Sequence, residues 1–439
     1  MSEKQARKQR VLIEIRGIHN LGSGNPNRDE TGQPKTAFYG LYPRPRVSYQ
    51  AKRRADREWI RRELTGPLAD RLSNSTRELP AEFRKEVLNL GWTEAEASII
   101  VPAWIEKYVG TIEPIDEKAD EAVYLRTKEM RRIGNDEWRA LLDLLVQNKD
   151  DLVKAWEQDA VKVAAEKEKE EAQAKDGKAA KGKKNGGGKK DKALCTEYPT
   201  LGKLIGTLQK SLSGRTNALD VALLGRMCTA RSSDTVDGAL YSTPCIGISP
   251  LYVETDFLIA LDEIAAKRKS GGQGSAAMIA HKEFADFCVF DDLVIDVRQL
   301  IDNLDGDIDG AFEIIRLQLK AHAVSQLVGN RHTMRTDTFP ILYAMSLRTA
   351  GQPISMMNAF RQPVTVYDGM SLTVEAAKRL DKHWAELRRM LGDADDIPLT
   401  VVIGNDDETD ALQAMAPFVR KDSIDVVIDE IIESARKLL

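Results

Sequence analysis

Strand and helix signals are segregated along this chain, and the segregation narrows the folds open to it. Val11, Ile13 and Ile15 alternate with Leu12, Glu14 and Arg16, the pattern of a strand with one face more buried than the other. A turn-rich stretch, His19 to Pro26, then predicts a loop. From Ala55 to about Ala174 the pattern is helical, and strand signals are scarce. Thr93 and Glu96 have the spacing of a capping box, and Asn135 is expected to cap a helix carrying Trp138, Leu141, Leu142 and Leu145 on one face. An amphipathic helix follows at Tyr198–Ser211. Strands are expected at Phe287–Val297, Phe339–Leu347 and Leu399–Ile403, with helices at Asp309–Val328, Leu372–Leu391 and Ser423–Leu438.

Taken together, these elements predict an α+β fold in split-βαβ order: a ferredoxin-like, RRM-like sheet with a large helical insertion. Short apolar runs between Thr243 and Phe284, with a Ser270–Ser275 glycine-rich hinge, predict a projecting hairpin. Lys175–Lys192 holds eight lysines, two aspartates and no apolar residue larger than alanine. Such a segment cannot bury enough surface to offset its ordering entropy, and it is read as a disordered loop.

With 439 residues the chain has room for two or three domains. No apolar run would span a bilayer, and the N-terminal residues lack the apolar core of a signal peptide, so the cytoplasm is the expected compartment. The four cysteines and five histidines are scattered without metal-ligand spacing, which predicts neither a metal site nor a cofactor. Gly22 and Gly24 follow a strand, but the third glycine of a dinucleotide loop is missing and Pro26 removes an N–H. A net charge of −4 makes no global case for nucleic acid, so the case must be local.

That local case lies between Asn27 and Arg57. Arg44, Arg46, Ser48, Gln50, Lys52, Arg53, Arg54 and Arg57 alternate with small and aromatic residues, among them Phe38, Tyr39, Tyr42 and Tyr49. Guanidinium, ammonium, hydroxyl and amide groups so arranged suit a phosphodiester backbone. Asp56 and Glu58 offer partners to the later cations, whereas few acids neighbour Arg46, Arg53 and Arg54, so a solvated helix face accounts for these three less well.

Three stretches together resemble one family. They are Asn27-Arg28-Asp29 with Lys35 and Arg46-Val47-Ser48-x-Gln50-x-x-Arg53-Arg54; Ala222-Leu223-x-Gly225-Arg226-Met227-x-Thr229 followed by Val236–Ala239; and Pro353–Phe360. The pattern is similar to that of CasC, the guide-RNA-coating backbone subunit of the type I-E CRISPR surveillance complex, Cascade. The resemblance implies a palm (1–57, 216–242 and 286–439), helical fingers (58–215) and a thumb (243–285). It implies several copies stacked along one CRISPR RNA, other Cascade subunits as partners, and target DNA reached through the guide. Carried over by position, Lys35, Ser48, Gln50, Arg53, Arg54 and Arg57 contact guide phosphates, and Arg46 belongs to the same cluster. Arg226 leads to Met227, which lies against the guide, and Leu258, Ile259 and Met278 pack beside a displaced nucleotide.

Two other functions stay open at this level. Related subunits of type III complexes cut target RNA with a palm-loop aspartate, and a metal-dependent nuclease of that kind would use Asp29. In the type I-E pattern the same Asn-Arg-Asp occurs without nuclease activity, and arginine–aspartate pairing suffices as its role. A general single-stranded RNA coat is the other alternative. The preferred expectation is a non-enzymatic RNA-binding scaffold.

Overall fold

The computed structural model describes residues 10–113, 126–176, 193–212, 216–229, 231–261, 276–392, 397, 399–415 and 417–439. The expected Ser270–Ser275 hinge and all but the first two residues of Lys175–Lys192 lie outside these. The chain forms two compact units: residues 1–66, 239–302 and 306–439, and residues 67–238 with 303–305.

The first unit is built on one sheet, which with the helices makes the fold α+β. Its strands are β1 (Leu12–Gly24), β2 (Thr36–Tyr39), β3 (Tyr42–Val47), β4 (Leu240–Ser242), β5 (Cys245–Gly247), β6 (Val253–Leu261), β7 (Ala276–Asp296), β8 (Pro340–Arg348), β9 (Leu399–Gly404) and β10 (Val419–Arg420). They lie in the order β10-β9-β8-β1-β7-β5-β3-β2, and β4 and β6 also pair with β7. β1 is antiparallel to both β7 and β8. Helices α1 (Tyr49–Glu63), α2 (Ile308–Val324), α3 (Leu372–Leu391) and α4 (Ile424–Arg436) pack on it, α1 against α2 and α2 against α4.

β1 differs from its expected form in two respects. Both of its faces are covered, so Glu14 and Arg16 are as buried as Ile13 and Ile15. Burial of the polar set is tolerated because it is paired: Arg16 donates to Glu14 at 2.6 Å, its guanidinium lies over the Trp384 ring, and Arg348 stands 3.6 Å from Glu14. The strand also runs through the expected loop to Gly24. The register shifts between Asn20 and Ser23, and Gly22 takes a φ of +72°, which a glycine adopts without strain. The helix and strand positions expected after Phe287 hold to within a few residues, although β7 begins much earlier because it also forms the long arm of the β6–β7 hairpin.

The second unit is mainly helical, with two short two-stranded sheets, Asn74–Thr76 paired with Arg131–Ile133 and Ile112–Glu113 with Arg126–Thr127. Its core gathers Phe83, Val87, Ile100, Trp104, Leu141, Leu145 and Leu201. Thr93 and Glu96 form the expected capping box, each side chain accepting the other's backbone N–H. Asn135 is not a cap. Gly134 takes that position, its N–H donating to Glu137 at 2.9 Å, while the Asn135 amide donates to the carbonyl of Asp70. The unit runs on to Gly238, so the Ala222–Thr229 motif is part of it. No helix among the described residues is long and apolar enough to cross a membrane.

Candidate nucleic-acid interface

The Asn27–Arg57 stretch folds as a loop, a hairpin and a helix tied to one another. Asn27 joins them: its carbonyl accepts from Lys35 N at 2.8 Å, and its side-chain oxygen accepts from Ser48 N at 2.8 Å. Ser48 then caps α1, its hydroxyl accepting from Ala51 N. An open groove of about 620 Å³ lies between this loop, α1 and residues 327–329. Gln50, Arg54 and Glu58, one helical turn apart, line its helix side, and Arg28, Asp29 and Glu30 its loop side.

Asp29 is spent on its own loop. Its Oδ1 accepts from Thr31 N and Thr31 Oγ1 at 2.8 Å and from Gln33 N at 3.0 Å. These bonds, the Thr31 hydroxyl first, hold its carboxyl below the usual range. The structural role anticipated for Asp29 is thus filled by hydroxyl and backbone donors rather than by pairing with arginine.

The cations of α1 divide between surface and interior. Arg54 is 76 % exposed and its Nε lies 2.7 Å from Glu58. Arg53 is 5 % exposed, contrary to the expectation that few acids serve it. Its guanidinium meets Asp56 at 2.9 Å, and Lys52 reaches the same carboxylate at 3.3 Å. Asp56 also accepts from Gln318 and Ser325 of the α2 segment. Periodicity explains the split: positions 52, 53 and 56 face α2, whereas 50, 54 and 58 face the groove. Burial alone would raise the Asp56 carboxyl, but Arg53 and Lys52, with His322 and Ser325, hold it well below the usual range.

The other expected contacts are dispersed. Lys35, Arg46 and Arg57 are half-buried at the surface. Arg226 is buried, its guanidinium donating to Glu137 at 2.6 Å and to the Asp234 carbonyl at 3.0 and 3.1 Å, so the cation is structural; the adjacent Met227 is 85 % exposed. Leu258, Ile259 and Met278 are all exposed on the β6–β7 hairpin, but they do not share a face. Ile259 pairs with Ile279 and Ala260 with Met278, so Leu258 and Met278 project to one side and Ile259 to the other.

Beneath α1 lies a buried cluster that the sequence did not reveal. His19, Asp291 and His322 bring three ligand atoms within 4.8 Å of one another. The donor chemistry does not fit a metal there. Arg53 can only donate, so His322 Nδ1, 3.1 Å from it, is an acceptor, and the ring proton sits on Nε2, which donates to Asp291 at 3.2 Å. Burial drives His322 down to about 4 against the pull of Asp291. Since the unfolded ring titrates near 6.5, His322 contributes stability that is complete above about pH 6.5 and is lost as pH falls toward 4. Urea denaturation from pH 7 to pH 4 should show this decline, and His322→Asn should shrink it.

Across residues 13–430 the sequence matches the Cas family described as CT1975-like protein, and the chain belongs to that family. Two solved structures are similar to it. One is a chain of a "CRISPR RNA-guided surveillance complex, pre-nicking", with TM-score 0.71 and 24 % identity, covering 97 % of this chain and 100 % of that one. The other is a chain of a "CRISPR RNA-guided surveillance complex", with TM-score 0.60 and 21 % identity, covering 96 % and 99 %. At these identities the likeness is one of fold. No curated protein matches the chain.

Proposed function

We propose that this chain is a non-catalytic, RNA-binding backbone subunit of a CRISPR RNA-guided complex of the type I-E Cascade kind. The observation that carries the reading is the end-to-end fold likeness to chains of CRISPR RNA-guided surveillance complexes in a member of a Cas family. The strand order β8-β1-β7-β5, with α2 between β7 and β8, supports a ferredoxin-like palm. Copies would stack along the guide in the cytoplasm, together with other subunits, and present its bases to target DNA.

In this account Gln50, Arg54 and Arg28 grip sugar and phosphate from the groove, flanked by Lys35, Arg46 and Arg57. Ser48 and Arg53 hold α1 in place, and Arg226 fixes the turn that exposes Met227. Leu258 and Met278 form one apolar side of the hairpin and Ile259 the other, so a displaced nucleotide meets one set or the other. Phosphate contacts ignore sequence, which leaves base pairing by the guide to supply specificity.

Cutting of target RNA by Asp29 is the weaker reading, because one of its carboxylate oxygens already accepts three loop bonds. The RNA carried by the purified chain tests the proposal against a general coat: a shared repeat-derived end favours the guide subunit, and random RNA favours the coat.

A further inference from the structure

We propose that Glu58 is a built-in competitor for phosphate, setting how strongly a polyanion can hold Arg54. The proposal rests on the reading of the groove as an RNA grip. Arg54 Nε donates to Glu58 Oε1 at 2.7 Å, and both side chains line the groove and are exposed. The carboxylate therefore occupies part of the guanidinium fork that a phosphodiester would take.

Helix stability does not account for the pair. It is exposed to solvent, and its order, cation before acid at i,i+4, is the less favourable one along a helix. The other acids near these cations are differently used. Asp56 is buried and takes Arg53 and Lys52 out of the surface altogether. Asp29 is occupied by Thr31 and Gln33. Among the described carboxylates that line the groove, Glu58 is the one shown paired with an arginine there, where an incoming anion can exchange with it.

The groove thus carries two arginines against three carboxylates, Asp29, Glu30 and Glu58, an unusual balance for a phosphate site. A short anion making one contact must displace Glu58 for that contact alone and binds poorly. A strand bound along many contacts meets the cost of displacement collectively. Glu58 in this way lowers the affinity of every anion at Arg54, so that a strand held by further contacts stays bound where a lone phosphate does not.

Binding of a fluorescein-labelled oligouridylate to the full chain, across a range of salt concentrations, tests the proposal. Glu58→Gln is expected to tighten binding roughly threefold or more at low salt, with the gain fading as salt rises. Arg54→Ala should weaken binding, and on that background Glu58→Gln should add nothing, because the competitor acts through Arg54. Equal tightening on the Arg54→Ala background would mean a bulk charge effect and overturn the proposal. So would Glu58→Gln binding no tighter than wild type while Arg54→Ala still weakens, which leaves the groove reading standing. An Arg54→Ala protein that binds like wild type removes the groove reading itself.

Discussion

Replacing Asp56 by alanine is expected to destabilise the protein by about 3–5 kcal/mol, the range for breaking a buried ion pair from one side. The carboxylate is fully buried and accepts from Gln318 and Ser325 while balancing Lys52 and Arg53. Its removal leaves two buried cations uncompensated between α1 and α2. Asp56→Asn keeps the volume but not the charge, so it should retain only a minor part of the stability. Urea denaturation at pH 7 reads both, and a loss below about 1 kcal/mol for the alanine variant would contradict the account of how α1 is held. The sign of the linkage agrees: the depressed carboxyl stabilises at neutral pH, and its contribution is lost only as pH falls below the ordinary carboxylate range.

A loss of similar size is expected for Arg226→Ala, whereas Met227→Ala beside it should change stability by no more than about 0.5 kcal/mol. Arg226 bridges Glu137, the Arg132 carbonyl and the Asp234 carbonyl, and without it Glu137 keeps a buried charge with its main partner gone. Met227 is open to solvent. Any effect of Met227→Ala should appear in RNA binding. Thermal unfolding separates the two positions; equal losses would mean that the motif is built differently from this description.

Periodicity placed α2, α3 and α4 closely because each turns one apolar stripe to a neighbour, as Ile428, Ile431 and Ile432 do in α4. It read β1 as more buried on one face than the other because Glu14 and Arg16 alternate with apolar residues, and a linear pattern does not reveal that Arg348 of β8 and Trp384 of α3 meet them. The same gap affects the candidate site. Arg53 and Arg54 are neighbours in sequence and look alike, yet helical geometry sends one to Asp56 and the other to the groove. The i,i+3 spacing of Arg53 and Asp56 was the available signal. His322 also gave one, since it sits three residues beyond Leu319 on the apolar side of α2 and is fully buried. The mixed charge of the groove had no signature, because residues 327–329 reach it only through the fold.

The central claim, that the groove beside α1 grips a guide RNA, is tested most directly by the nucleic acid the protein carries. The chain should be produced together with a CRISPR array transcript and its processing enzyme, purified, and stripped of RNA for sequencing. Small RNAs sharing one repeat-derived end, retained by wild type and depleted in Arg54→Ala, are the result this account predicts. A folded wild-type protein that emerges free of RNA, or carries random fragments, would contradict it.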